Sequence, residues 1–421
     1  MELPALILIL TAVFGWALIS ARARAITAPI FFVVVGVVLA EGVRLLHIAP
    51  DPHATKVLAE ITLVWVLFAD ASRVRASTLR HDAALYARLL GLGLPLTVVA
   101  GSLAAIAVLG ISPWYALLLG AALGPTDAAL GAAVMTDTRV PYRIRQTLNV
   151  ESGLNDGIAT PIVTTAVAAI IIQFGLHSEF TLARALLGLP LGLVIGVVLG
   201  FVGGTALRLS HRRGWGSEEL AGPAVLALAL SAFAVADLLE ANGYVAAFVA
   251  GIAFGATAGR GGKREVDYVE QTCGLASMVC WMLFGAVAVP TLAGDWSWRI
   301  LLYAVLSLTA VRMVPVAFCL LASHTDWRSV VFIGWFGPRG LASVVFALIA
   351  VEDLHDVPGA IGDVVATIGL TVLLSVFLHG LTAGPLVGWY AAHRPPGTEN
   401  VPVAPSEVTV RHLVRPAGRP G

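Results

Sequence analysis

The sequence predicts an all-α polytopic membrane protein of about 13 transmembrane helices, with the fifth and twelfth spans broken near their centres. Three observations carry this. Of the 421 residues, 58% are hydrophobic and only 12% are charged, whereas a soluble domain carries about 25% charged residues. The apolar residues gather into segments whose flanking loops alternate between rich and poor in basic residues. Two of those segments hold a Gly-Pro pair in mid-span. The low charge excludes a cytosolic enzyme, a disordered chain and a secreted disulfide scaffold. Lys+Arg and Asp+Glu both number 26, so net charge is silent and placement is what informs. Cys273, Cys280 and Cys319 sit in apolar runs without a CxxC pattern, which reads as packing rather than as a disulfide or metal framework.

A helix needs about 20 mostly apolar residues to cross a bilayer. Such segments fall at roughly 3–20, 28–46, 55–71, 85–109, 113–136, 144–174, 181–209, 219–239, 244–258, 265–290, 298–321, 329–350 and 360–391. The first has no basic residues ahead of it, and Arg22 and Arg24 follow it, so it reads as a retained span rather than a signal peptide. Residues after His393 are Pro-rich and polar, a disordered tail by composition. Twenty Lys and Arg flank the ends that follow odd-numbered spans and four flank the others, with Arg312 and Arg339 inside spans. Basic loops stay cytoplasmic, which puts the N-terminus outside, the C-terminus inside, and the protein in the cell membrane.

Ionisable groups inside a membrane are costly and point to function. The candidates are Glu41, Glu60, Asp70, Asp127, Glu151, Asp156, Asp237, Arg312 and Arg339. Glu41, Glu60 and Asp237 fit pairing at helix ends, and Asp70 has Arg73 one turn on. Span 5 is different. It reads Gly124-Pro125-Thr126-Asp127 at its middle, and a proline there removes a hydrogen bond and breaks the helix. Span 12 repeats the device as Gly337-Pro338-Arg339-Gly340. If spans 1–6 and 8–13 are inverted repeats, spans 5 and 12 correspond, and paired interrupted helices point to a transporter's midplane site. Asp127 and Arg339 have the signs to neutralise half-helix ends. Span 6 carries Glu151, Ser152, Asn155 and Asp156. Ser152 and Asp156, four apart, share a face. With Thr126 and Asp127 they offer the oxygen ligands a small hard cation requires. Glu151 is expected to pair with Arg339, with Arg312 as the alternative.

Together, Gly124-Pro125-Thr126-Asp127, Glu151-Ser152-Gly153-Leu154-Asn155-Asp156-Gly157 and Gly337-Pro338-Arg339-Gly340 resemble the monovalent cation:proton antiporters of the NhaP and sodium–hydrogen exchanger type over about residues 1–392. The resemblance implies two inverted repeats with crossed broken helices. It implies scaffold and dimer-interface spans at 1–84 and 176–297, ion-transport core spans at 85–175 and 298–392, and a cytoplasmic tail at 393–421. Asp156 would bind cation and proton in turn, and Thr126, Asp127 and Ser152 would complete the ion site with Asn155 as support. Glu151 and Arg339 would form a buried structural pair. Asp70 matches a family position near the pathway, where Glu is commoner, and Arg312 a structural one. The Asn155-Asp156 pair implies electroneutral exchange of Na⁺ (or Li⁺) for H⁺ in a homodimer.

The chemistry needs one titratable group and two states. Burial disfavours a charged carboxylate and a bound cation favours it, so cation and proton compete for one site. No cofactor is called for, and the substrates are the ions themselves. A K⁺/H⁺ antiporter of the same fold, a cation channel and an intramembrane aspartyl protease built on Asp127 and Asp156 are the alternatives. The protease lacks support, because its Tyr-Asp and Gly-x-Gly-Asp patterns are replaced by Thr-Asp and Asn-Asp. There is no H-E-x-x-H helix or phosphate loop, and no aromatic-interleaved basic patch for nucleic acid.

Overall fold

A computed structural model describes residues 3–20, 26–46, 52–73, 82–175, 182–259, 262–295, 297–321, 323, 325–355, 357 and 361–393. The tail after His393, Arg22, Arg24 and the side chain of Glu41 lie outside the described residues. The described chain is all helix, and a helix falls on each of the apolar segments. In chain order these are α1 (Leu3–Ile19), α2 (Ala28–Leu46), α3 (Pro52–Arg73), α4 (Ala83–Leu109), α5a (Pro113–Ala122), α5b (Ala128–Met135), α6 (Tyr142–Gln173) and α7 (Leu182–Arg213). The second half holds α8 (Glu218–Leu238), α9 (Gly243–Thr257), α10 (Gly262–Asp295), α11 (Trp298–Leu320), α12a (Trp327–Trp335), α12b (Leu341–Asp353) and α13 (Ile361–His393). Among the described residues, six helices are long and apolar enough to cross a membrane on their own, namely α4, α6, α7, α8, α11 and α13.

Both expected breaks are present. The fifth segment is interrupted over 123–127 and the twelfth over 336–340. Each interruption holds a proline, Pro125 or Pro338, whose missing N–H cannot continue the helical ladder. Two further irregularities were not expected. Leu89–Gly93 of α4 widens into a π turn just ahead of Pro95. In α11 the ladder is interrupted at Thr309, whose backbone leaves the helical region.

Small residues let the helices approach closely, as is usual in membranes. Gly192 and Gly196 of α7 lie against the backbone of α9 at Asn242 and Ala246, where a β-carbon would come within 2.6 and 2.5 Å of a carbonyl oxygen. The large apolar core runs from Phe32, Leu63 and Phe68 on α2 and α3 through Leu118 and Leu119 on α5a to Val345 and Phe346 on α12b. The outer faces of α1 and α7 present Phe14, Leu18, Leu187 and Val198. The two breaks lie inside this packing. Thr126, Asp127 and Arg339 are buried.

Candidate ion site

The two interrupted segments cross at their breaks and are stitched together there. The Asp127 N–H donates to the Pro338 carbonyl at 2.8 Å. The Asp127 carboxylate then serves two helix starts. Oδ1 accepts from the N–H groups of Ala129 (2.7 Å) and Leu130 (3.2 Å) at the head of α5b, and Oδ2 accepts from the N–H of Leu341 (2.8 Å) at the head of α12b. A β-carbon at Gly340 would fall on this carboxylate, so only glycine lets α12b start against it. A helix start carries about half a positive charge, so one carboxylate neutralises two of them.

Arg339 performs the opposite service. Its Nη1 donates to the carbonyls of Gly124 and of Pro125 (3.1 Å for the latter), just past the end of α5a. Its Nη2 reaches the Ser307 carbonyl at 3.3 Å, near the Thr309 irregularity of α11. Ser343 Oγ adds a bond to the Ala122 carbonyl at 2.7 Å. The expected neutralisation of half-helix ends is therefore present, and it is crosswise: each break supplies the charge that serves the other.

One expectation is corrected. Glu151 does not pair with Arg339. Its Oε1 lies 2.6 Å from Nη1 of Arg312, with both side chains buried. The physical reason is that the Arg339 guanidinium is committed to carbonyls at the crossing, while Arg312 on α11 faces α6. Asp127, expected as an ion ligand, also caps both α5b and α12b, its two oxygens accepting three backbone N–H groups.

The structure does bring Thr126, Ser152 and Asn155 together. Thr126 Oγ1 lies 2.8 Å from Ser152 Oγ and accepts from Asn155 Nδ2 at 2.7 Å. With its amide nitrogen committed to Thr126, Asn155 leaves Oδ1 buried and without a hydrogen-bond partner among the described residues. Asp156 follows on the same helix, buried, one turn beyond Ser152. The result is a buried, hydrogen-bonded cluster of hydroxyl and amide groups beside the break between α5a and α5b, with the Asp156 carboxylate carried on the same helix as Ser152 and Asn155. Asp70 of α3 faces α6 at Gly153, where a β-carbon would stand 3.8 Å from its own. Arg73 is bound to Glu270 (3.0 Å) and Asp267 (3.3 Å) of α10. Glu60 accepts from the Tyr244 hydroxyl at 3.1 Å, and Asp237 is exposed in the last turn of α8. The three cysteines are buried, and none forms a disulfide among the described residues.

Sequence reasoning missed Ser307, Ser343, Ser375 and His379. The serines resemble any small polar residue of a span. His379 left a usable signal, since an ionisable ring in an apolar run is itself informative.

Crossed, mutually capped broken helices in a multi-pass membrane protein define a transporter-type fold. Residues 8–389 match the profile of the transmembrane region of the sodium/hydrogen exchangers, and the chain belongs to that family. It is 26% identical over 398 residues to the K⁺/H⁺ antiporter NhaP of Alkalimonas amylolytica, covering 88% of this chain and 64% of that protein. It is 25% identical over 350 residues to a Na⁺/H⁺ antiporter of Saccharomyces cerevisiae, covering 78% of this chain and 35% of that one. The chain thus spans less than two thirds of the length of these relatives. The solved structure of the sodium proton antiporter MjNhaP1 from Methanocaldococcus jannaschii at pH 8 shares the fold, with a TM-score of 0.76 over 90% of this chain and all of that one, at 20% identity.

Proposed function

We propose that the protein is a secondary antiporter that exchanges Na⁺ (or Li⁺) for H⁺ by alternating access, electroneutrally, with cation and proton competing for Asp156. The observation that carries this is the buried hydrogen-bonded cluster of Thr126, Ser152 and Asn155 at the helix breaks, with buried Asp156 next in sequence to Asn155. Thr126 and Ser152 supply neutral oxygen ligands and Asp127 a carboxylate oxygen, Asn155 positions Thr126, and Asp156 supplies the exchangeable charge. Asp127 and Arg339 hold the crossing, and the Glu151–Arg312 pair fixes α6 against α11. In this reading thirteen spans form two inverted repeats. α1–α3 and α7–α10 are the scaffold and homodimer interface, α4–α6 and α11–α13 are the core, and the C-terminus is cytoplasmic in the cell membrane. A carboxylate that must carry either a cation or a proton to cross gives exchange without ATP or covalent chemistry.

A second reading, K⁺/H⁺ exchange at the same site, is favoured by the name of the Alkalimonas amylolytica relative. Proton flux by purified protein in liposomes, with Na⁺, Li⁺ and K⁺ added in turn across a pH series, decides between them. Asp156→Asn is expected to abolish the flux with the fold intact. Survival of cation-dependent flux in that variant would refute the assignment.

A further inference from the structure

The end of α12a is the one half-helix terminus at the crossing that Asp127 and Arg339 do not serve. Its last carbonyl, Trp335 O, lies 2.9 Å from Nε2 of His379 on α13. His379 is buried, with 2% of its surface exposed, and its ring stacks on that of Trp335 with centroids 5.1 Å apart and planes at 30°. The Trp335 indole is held by the same helix, its Nε1 donating to Thr382 Oγ1 at 3.2 Å. The other imidazole nitrogen, Nδ1, is 3.2 Å from Ser375 Oγ and 2.9 Å from the Ser375 carbonyl. Ser375 Oγ in turn accepts the backbone N–H of Arg339 at 2.7 Å. So α13 grips the second break on both sides: His379 holds the residue that ends α12a, and Ser375 holds the residue whose guanidinium fixes Gly124 and Pro125.

We infer that His379 is a positioning residue for ion binding: its Nε2–H caps α12a, and its Nδ1 orients Ser375 against the backbone of Arg339. In the neutral tautomer that carries its proton on Nε2, the ring donates to Trp335 O and Nδ1 accepts from the Ser375 hydroxyl. The chain of contacts runs from His379 through Ser375 and Arg339 to Gly124 and Pro125, and so to the neighbouring Thr126. Trp335 O also accepts the Gly337 N–H at 2.8 Å, so His379 adds a side-chain donor from α13 to a carbonyl that the break itself bonds only locally. The inference rests on the antiporter reading, in which Thr126 is a cation ligand.

The test uses purified full-length protein and two readouts, proton flux in liposomes and cation-dependent thermal stabilisation, each titrated with Na⁺ and K⁺. His379→Leu is expected to raise the half-saturating cation concentration about tenfold, with the maximal rate per folded molecule within twofold. His379→Gln, whose amide can still donate to Trp335 O and accept from Ser375, is expected to return to within threefold of the wild type. His379→Asn, too short to reach Trp335 O, is expected to resemble leucine. If leucine prevents folding, the comparison of glutamine with asparagine carries the test. Unchanged half-saturation in His379→Leu, or equal loss in glutamine and asparagine, would overturn the inference while leaving the antiporter reading intact. A wild-type protein that shows no cation response in either readout would overturn both.

Discussion

At the scale of single residues, the charges in the membrane were legible and their partners were not. Composition and hydropathy single out Glu151, Arg312 and Arg339 as ionisable groups in the wrong solvent. Which arginine Glu151 meets depends on the rotation of α11 and α12 about their axes, and no linear pattern encodes that. The observed pair, Glu151 with Arg312 at 2.6 Å, fixes what mutation should do. Removing one partner of a buried pair costs about 3–5 kcal/mol, because the other is left charged and unpaired. Arg312→Ala should therefore destabilise strongly, and Glu151→Ala/Arg312→Ala should recover part of the loss. In double-mutant cycles on thermal unfolding, the coupling of Glu151 to Arg312 should exceed its coupling to Arg339. A larger Arg339 coupling would contradict the pairing. Asp127 gives a second contrast. Asp127→Asn would point an NH₂ group at the Leu341 N–H, and a buried unsatisfied donor costs about 1–3 kcal/mol. We expect this variant to melt clearly below the wild type. Asp156→Asn should melt normally and fail to exchange. Equal melting of the two variants, with only the cation affinity of Asp127→Asn altered, would show that Asp127 acts as a ligand and not as a cap.

At the scale of elements, the positions of the breaks could be read directly, because Gly-Pro in mid-span has a local cause. The Thr309 irregularity in α11 could not be read. The nearest proline, Pro315, lies six residues on, and the nearby Ser307 carbonyl meets Arg339 from another segment, a tertiary contact. The π turn at Leu89–Gly93 adjoins Pro95, but a proline near a helix start does not reveal how the turn before it will widen. Thr126, Ser152 and Asn155 were legible as types of ligand, whereas the hydrogen bonds that knit them together required the crossing to be built. Glycine separates two kinds of position in these elements. Gly340 lies against the Asp127 carboxylate, whereas a β-carbon at Gly384 in α13 would meet nothing within 4 Å. Gly340→Ala is expected to abolish folded protein in detergent. Gly384→Ala should be neutral or stabilising by up to about 1 kcal/mol, the usual helical cost of glycine relative to alanine. Fluorescence-detected size exclusion of the two variants checks this, and a well-folded Gly340→Ala protein would show that the crossing tolerates displacement.

At the scale of the whole molecule, α3 is one of the helices on which the proposed scaffold meets the proposed core. One of its residues, Asp70, faces Gly153 of α6, and another, Lys56, forms an ion pair with Asp353 at the end of α12b, Nζ to Oδ1 2.6 Å. The pair is partly solvated, with side-chain exposures of 19% and 35%, so its contribution is about 0–1 kcal/mol. That is too little to matter for folding and enough to matter for an alternating equilibrium. If the core moves against the scaffold, the pair exists in one state and is broken in the other. Removing it then shifts the population away from the state seen here by at most about fivefold. We expect Lys56→Met to leave the melting temperature within about 2 °C, since about 1 kcal/mol moves a protein larger than 250 residues by only a few degrees or less. The half-saturating cation concentration should change in opposite senses when measured from the two faces of oriented liposomes. Asp353→Asn should do the same, and the exchanged pair Lys56→Asp/Asp353→Lys should restore the wild-type asymmetry at low salt. High salt should shrink all these differences, because exposed pairs are screened. An equal change on both faces, or failure of the exchanged pair to restore asymmetry, would show that this contact does not open and close with the transport cycle.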